Sequence, residues 1–273
     1  MTSMVAIAIP YVSVRFDLGG LQIYGCMMLL ALAAAIVTAV LTHRRFALGS
    51  NDIAILVPVA IAAAVVFGHV FDVLVYQRDA IRERPDVWLH VIDGTSLFGA
   101  LFGVALVAVT LGVARKLPLA PLADHVALAC VIAMTIGRIG CALVHDHVGR
   151  PTDSFLGVDF PAERVGWLLG EVRGPTMRLH DVGLEELLAL IPITAGAIAL
   201  AIRRARPGTL AIFVALAYAV VRFGLDTLRL PEAEPRLAIL TAGQWSCLVL
   251  ALLTVLAVVR RRGHPAGAMA PGR

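Results

Sequence analysis

Charge is what this sequence has least of. Only 15% of its 273 residues are Asp, Glu, Lys or Arg, while 59% are hydrophobic. A soluble domain carries about 25% charged residues. The deficit, with a mean hydropathy of +0.87, excludes an ordinary soluble fold and indicates an integral membrane protein. Cysteine is sparse too. Cys26, Cys130, Cys141 and Cys247 form no C-x-x-C pair, and three of them lie in apolar runs, so neither disulfides nor zinc are expected. Met1 to Pro10 has no basic segment and only a short apolar run, so no cleavable signal is expected. There is no internal repeat. The net charge of +4 comes from short basic clusters beside apolar runs. That pattern orients a membrane protein and excludes nucleic acid as a partner.

Crossing a bilayer takes roughly 20 apolar residues, and seven such runs are present: 21–41, 53–76, 97–113, 122–144, 184–202, 209–228 and 242–259. The expected fold is therefore an all-α integral membrane protein with seven transmembrane helices. Basic clusters follow the first, third, fifth and seventh runs: Arg44/Arg45, Arg115/Lys116, Arg203/Arg204/Arg206 and Arg260/Arg261/Arg262. Basic residues in short loops mark the cytoplasmic side, so the N-terminus is expected outside and the C-terminus inside. Arg78, Arg82 and Arg84 oppose this assignment but are outweighed. Residues 1–262 read as one transmembrane domain and 263–273 as a disordered cytoplasmic tail. A polar segment at about 145–181, broken by Pro151, Pro161 and Pro175, reads as a small outer head. Within it, 155–160 has the pattern of a short strand, and Trp167 that of an interfacial anchor.

The ionisable residues inside these runs gather near their outer ends. Arg138 lies in the fourth run, Arg222 and Asp226 in the sixth, and His69 and Asp72 in the second. A charge at membrane depth is costly and marks a functional site by default. Arg222 and Asp226 are four apart and share a helix face, with Arg229 three further on. Two readings are open. Arginines from different helices at one depth suit a phosphate, which a guanidinium grips bidentately. They also suit an internal ion-pair network with Asp226 and Asp72 as counter-ions. His145-Asp146-His147 follows Arg138 at the membrane edge. A histidine there can act as a general base, or simply end a helix favourably. On a strand, His145 and His147 would point the same way, which is a metal-like spacing without a third clustered ligand. Gly99 and Gly103 form a small-x-x-x-small step suited to close helix packing, and Gly243-Gln244 suits a helix cap.

Taken in order, these motifs resemble the prolipoprotein diacylglyceryl transferase family. The resemblance rests on Gly137-Arg138-Ile139-Gly140 with Gly149-Arg150-Pro151-Thr152-Asp153, on Leu21-Gln22-Ile23-Tyr24-Gly25, on Tyr218 to Arg229, and on Gly243-Gln244. Arg178-Leu179-His180-Asp181 followed by Glu186 resembles the family's motif before the fifth helix more loosely. The family implies a seven-span enzyme of the bacterial cytoplasmic (inner) membrane. It transfers the diacylglyceryl group of phosphatidylglycerol to the lipobox cysteine of a prolipoprotein signal peptide, releasing glycerol phosphate and using no cofactor or metal.

Carried residue by residue, the resemblance implies that Arg138 and Arg222 hold the phosphate and that Tyr24 orients substrate. Gly137, Gly140, Asp146, Gly149, Arg150, Asp226, Arg229 and Gln244 line the substrate site. The chain also departs from the family. The third-helix histidine usually proposed as base is Phe98, the signature asparagines are Cys141 and Val144, its Glu is Asp146, and the fifth-helix Tyr is Glu185. His145 or His147 is therefore expected to supply the base. Two readings of another class are a homologue that binds anionic phospholipid or a membrane partner without transfer, and, less well supported, an anion transporter.

Overall fold

A chain in lipid must satisfy its backbone hydrogen bonds internally, so long apolar runs fold as helices. The computed structural model describes residues 9–12, 17–18, 21–91, 94–170, 174–231 and 234–263. β1 (Ile9–Pro10), β2 (Asp17–Leu18) and β3 (Leu21–Gln22) lead into α1 (Ile23–Thr42). Then come α2 (Ser50–Tyr76), the short α3 (Arg78–Glu83), α4 (Leu97–Ala114) and α5 (Leu119–Val144). β4 (Val148–Pro151), β5 (Val158–Pro161), α6 (Ala162–Leu169) and β6 (Thr176–Asp181) form the head. The chain continues through α7 (Val182–Ile202), α8 (Thr209–Leu225), β7 (Arg236–Leu237), β8 (Leu240–Thr241) and α9 (Ala242–Gly263). Among the described residues seven helices are long and apolar enough to cross a membrane: α1, α2, α4, α5, α7, α8 and α9. They match the seven expected runs to within a few residues at each end.

α5 is the hub, packing against α1, α4, α7 and α8. The pair α2–α4 is held close by glycine. A Cβ on Gly99 would stand 2.3 Å from the Phe67 carbonyl oxygen, and one on Gly103 2.6 Å from that of Ala63. Only a residue without a side chain permits this approach, and tight backbone packing drives helix association where lipid competes for apolar contact. At the end of the bundle away from the head, polar contacts lock the helices. Arg45 donates to the carbonyls of Ala201 and Ile202 at 2.6 and 2.7 Å. Arg115 pairs with Asp52 at 2.6 Å, and Asp124 of α5 caps α8 through the amides of Gly208 and Ala211. The basic clusters after α1, α4 and α7 thus share one end.

The head contains a four-stranded sheet in the order β1-β5-β6-β4, a feature an all-α reading omits. β1 runs parallel to β5, and the other pairs are antiparallel. Its core is Val158, Phe160, Val165 and Leu179. The strand expected at 155–160 begins only at Val158. The preceding residues close a turn, with the Gly157 amide bonded to the Ser154 carbonyl, so local apolarity misplaced its start. β1 is recruited from the N-terminal segment, beyond the reach of local pattern. Helix α9 runs through Gly263, and residues 264–273 of the expected tail lie outside the described residues, as does the side chain of Trp167.

Candidate active site

Three arginines and three carboxylates meet at the head end of the bundle. Glu186 lies in the first turns of α7 and is fully buried. Its Oε2 accepts from Arg138 Nη2 of α5 and from Arg222 Nη1 of α8, each at 3.0 Å. Its Oε1 accepts from the Tyr218 hydroxyl at 2.9 Å. Arg222 Nη2 pairs with Asp226 at 3.0 Å, and Arg229 Nε reaches the same carboxylate at 3.1 Å. Thr241 donates to the other Asp226 oxygen at 2.6 Å. Arg229 continues to Glu234 at 2.8 Å, and Glu234 is also held by Tyr76 at 2.9 Å. Buried ions persist only when paired and hydrogen-bonded, and this chain of contacts meets that condition. Within it, Arg222 Nε, Arg229 Nε and Asp226 Oδ1 are buried without a hydrogen bond; the last two face each other in the ion pair, and Arg222 Nε has neither kind of partner among the described residues.

The expected helix-face pairing of Arg222 with Asp226 is therefore present. Asp72, the other expected counter-ion, accepts instead from Gln77 at 2.6 Å. Glu186 takes the central place. Its sequence signal is faint, because an acidic residue beside Glu185 in the first turn of a helix reads as a dipole partner. Only the tertiary approach of α5, α7 and α8 makes it the shared counter-ion.

Sequence treats His145 and His147 as equivalent, and the structure separates them. His145 ends α5 in the left-handed conformation, with φ 53° and ψ 47°, so the chain turns sharply there. Its Nδ1 is 2.5 Å from Asp181 and its Nε2 is 3.3 Å from the Val12 carbonyl, while Tyr11 stacks on the ring at 4.7 Å. Asp181 also caps α7 through the Leu184 amide. His145 thereby clamps the N-terminal segment, α5 and α7 together. His147 points the other way. Its Nε2 lies 3.1 Å from Arg138 Nη1, and its Nδ1 bonds Asp146. The strand-like arrangement with both rings on one side is not formed, because the left-handed turn at His145 breaks it. Burial pushes the His147 pKa below its ordinary value; the Asp146 bond opposes this and the Arg138 charge adds to it.

Cys141 Sγ is 3.5 Å from the same Arg138 Nη1. The donor atoms of Cys141, Asp146 and His147 lie within 4.8 Å of one another, a spacing compatible with a metal ion. The guanidinium in contact with two of them puts positive charge where such an ion would sit, so the residues do not fit one. Tyr24, at the start of α1, borders this rim. Its ring lies 3.7 Å from where a Gly140 Cβ would be, and such a Cβ would meet Met27 at 2.8 Å. Gly137 faces Met28 of the same helix. These two glycines seat α1 on α5.

The remaining expected site residues brace the network. Gly149 bridges to Arg229, and a Cβ on it would come within 2.8 Å of the Leu228 carbonyl. Arg150 is exposed and donates to the Arg229 carbonyl at 3.1 Å. Gln244 has both ends of its amide occupied: its oxygen accepts from Thr241 N, and its nitrogen donates to the Phe223 carbonyl. With Thr241 Oγ1 accepting from Gln244 N, the two form the reciprocal cap of α9. A Cβ on Gly243 would fall 2.2 Å from Asp226.

Beside this network lies an apolar cavity of about 920 Å³, lined by residues of α2, α4, α5, α8 and α9. Leu101, Phe102, Met134, Ala215 and Val249 line its walls, and Arg236 of β7 is also at its edge. Tyr218 belongs both to this lining and to the ionic network, through its bond to Glu186. Phe98 packs 6.3 Å from Tyr218, ring to ring. The arrangement joins an apolar chamber of ligand size to a charge-balanced cluster of three arginines and three carboxylates, whose guanidiniums can also meet an anionic group.

The family described as prolipoprotein diacylglyceryl transferase matches residues 13–260. Relatives that carry the name phosphatidylglycerol–prolipoprotein diacylglyceryl transferase are similar to the chain over most of its length. The Geobacter sulfurreducens protein is 30% identical, over 81% of this chain and 83% of its own. The Methylococcus capsulatus protein is 28% identical, over 91% of this chain and 94% of its own. The Haemophilus influenzae protein is 29% identical, over 84% of this chain and 83% of its own.

Proposed function

The chain belongs to the prolipoprotein diacylglyceryl transferase family, and from that premise we propose that it transfers the diacylglyceryl group of phosphatidylglycerol to a prolipoprotein in a bacterial membrane. The acceptor is the lipobox cysteine of the signal peptide, and glycerol phosphate is released. The observation that carries this reading is the convergence of Arg138 and Arg222 on Glu186 beside the apolar cavity. The acyl chains occupy the cavity, and the phosphate lies against the two guanidiniums. Charge grows on the phosphate as it departs, and fixed cations in a water-poor site stabilise that growth. The unsatisfied Arg222 Nε is a donor ready for a phosphate oxygen. The attacking group is the thiolate, the nucleophilic form of cysteine. Tyr24 borders the Arg138 side of the site and orients the incoming substrate. The proton acceptor is a histidine beside the signature, His145 or His147.

The protein lies in the cytoplasmic (inner) membrane with its head and N-terminus outside and its C-terminus in the cytoplasm. The basic clusters gathered at the end opposite the head support this orientation. The test is rescue of a host depleted of its own transferase, read as lipoprotein labelling. The wild-type gene is expected to rescue and Arg138→Ala to fail. A host that stays unlabelled with well-expressed wild-type protein favours a homologue that binds phospholipid without transfer.

A further inference from the structure

Building on the transferase reading above, we propose that His147, oriented by Asp146, takes the proton of the acceptor thiol, and that Arg138 holds it idle until a phosphate arrives. The hydrogen-bond logic comes first. A guanidinium has donors only, so across the 3.1 Å contact Arg138 Nη1 donates and His147 Nε2 accepts. The ring proton is then on Nδ1, where it is donated to Asp146. The ring is neutral, its tautomer is fixed, and its one lone pair is covered by Arg138. An orienting carboxylate on one nitrogen and an unprotonated acceptor on the other is the arrangement a general base needs once that acceptor is uncovered.

His145 lacks this arrangement. Its Nδ1 is on Asp181 and its Nε2 faces the Val12 carbonyl, so neither nitrogen points at the arginines. Phe98 carries no proton acceptor. The ring of His147 also has an open edge, with the side chain 23% exposed and Asp146 36% exposed. The charged and titratable groups around it are Arg138 and Cys141 of α5, Asp146 beside it, Arg229 after α8 and Tyr24 of α1. Burial keeps its pKa low, so it is neutral at neutral pH.

Arg138 is already engaged by Glu186, His147 and Cys141. A phosphate oxygen is an ionised acceptor and binds a guanidinium more strongly than an imidazole does. When it takes Nη1, the Nε2 lone pair is released beside the reacting centre. The thiol proton then passes to Nε2, and sulfur bonds to the glyceryl carbon. The bond from that carbon to the phosphoester oxygen breaks, with its electron pair going to the oxygen. The imidazolium returns the proton to the departing phosphomonoester. The step needs no other reactant, and the base is exposed only when the lipid is in place.

The experiment is the rate of transfer by the full-length protein in phosphatidylglycerol vesicles, with a lipobox peptide as acceptor, across about pH 5.5–9.5. His147→Gln is expected to lower kcat about a hundredfold or more at neutral pH and leave KM for the lipid within about threefold. Its rate should recover as pH rises through the thiol pKa near ~8.5, where solvent supplies the thiolate. Asp146→Asn is expected to lose about tenfold in kcat, with assembly unchanged. A His147→Gln enzyme with wild-type kcat, or with a loss that does not vary with pH, overturns the proposal. If that variant does not accumulate, a wild-type rate and pH profile in Asp146→Asn overturns it. A wild-type protein that forms neither diacylglyceryl peptide nor glycerol phosphate overturns the transferase reading itself.

Discussion

Arg138 and Arg222 share one carboxylate oxygen. They come from α5 and α8, 84 residues apart in sequence, and each reaches Glu186 Oε2 at 3.0 Å. The shared counter-ion holds two guanidiniums side by side without ligand, close enough for one phosphate to bridge them. The ion-pair network expected around Arg222 and Asp226 is thus present, with Glu186 at its centre, and the phosphate site we propose draws on the same guanidiniums.

Glu186→Gln tests what the shared oxygen does. Removing one partner of a buried ion pair costs about 3–5 kcal/mol, and here two cations lose the same partner. The variant is expected to unfold at lower temperature in detergent. Added phosphatidylglycerol is expected to stabilise it more than it stabilises the wild type, because the lipid phosphate supplies the missing charge. Equal stabilisation of both proteins would place the lipid phosphate elsewhere.

Arg138→Lys keeps the charge and loses the fork. One ammonium cannot meet Glu186, His147 and a phosphate in the fixed planar geometry of a guanidinium. Transfer is expected to fall about 10²–10³-fold with the protein still folded, as judged by its unfolding temperature. A loss under about threefold would show that position 138 needs charge alone.

Gly243→Ala tests the bracing around Asp226. The added Cβ would sit 2.2 Å from an Asp226 oxygen. That carboxylate is tied to Arg222, Arg229 and Thr241, so it cannot move without disturbing them. The expected outcome is at least about a tenfold loss of transfer, with less effect on expression than on rate. Wild-type rates would mean that Asp226 is free to shift.

Stability is expected to depend on pH through His147. Burial lowers its folded pKa below the unfolded value near ~6.5. As pH falls through that value the unfolded chain takes up a proton and the folded protein does not, so stability is lost on the acid side. It is fully present above about pH 7.5. Unfolding temperatures at about pH 7.5 and 5.5 should differ more in the wild type than in His147→Gln. An equal difference in both would assign the acid sensitivity to other groups.

Much of the fold was legible because membrane helices are local objects. Seven apolar runs, the glycine step at Gly99 and Gly103, and the i, i+4 pair Arg222–Asp226 all follow from spacing along one helix. Glu186 was marked only by a loose motif resemblance, and periodicity gave it no role, for the opposite reason. Its partners come from α5 and α8, and nothing in its own helix distinguishes it from Glu185, which bonds His180. The two histidines after α5 were indistinguishable until the left-handed turn at His145 sent one to the head and the other to Arg138. The head sheet needed β1 from the N-terminus, a pairing across about 150 residues that local pattern cannot register. Motif resemblance supplied what periodicity could not: a reason for cations to sit beside an apolar chamber.

The most direct test of the central claim is product formation by the purified protein in phosphatidylglycerol vesicles with a lipobox peptide. Diacylglyceryl peptide and glycerol phosphate should appear in equal amounts with the wild type. Both should fall by more than about a hundredfold in Arg138→Ala and in Arg222→Ala, while each variant still sediments as folded protein. No product from the wild type, or undiminished product from either variant, would contradict the account.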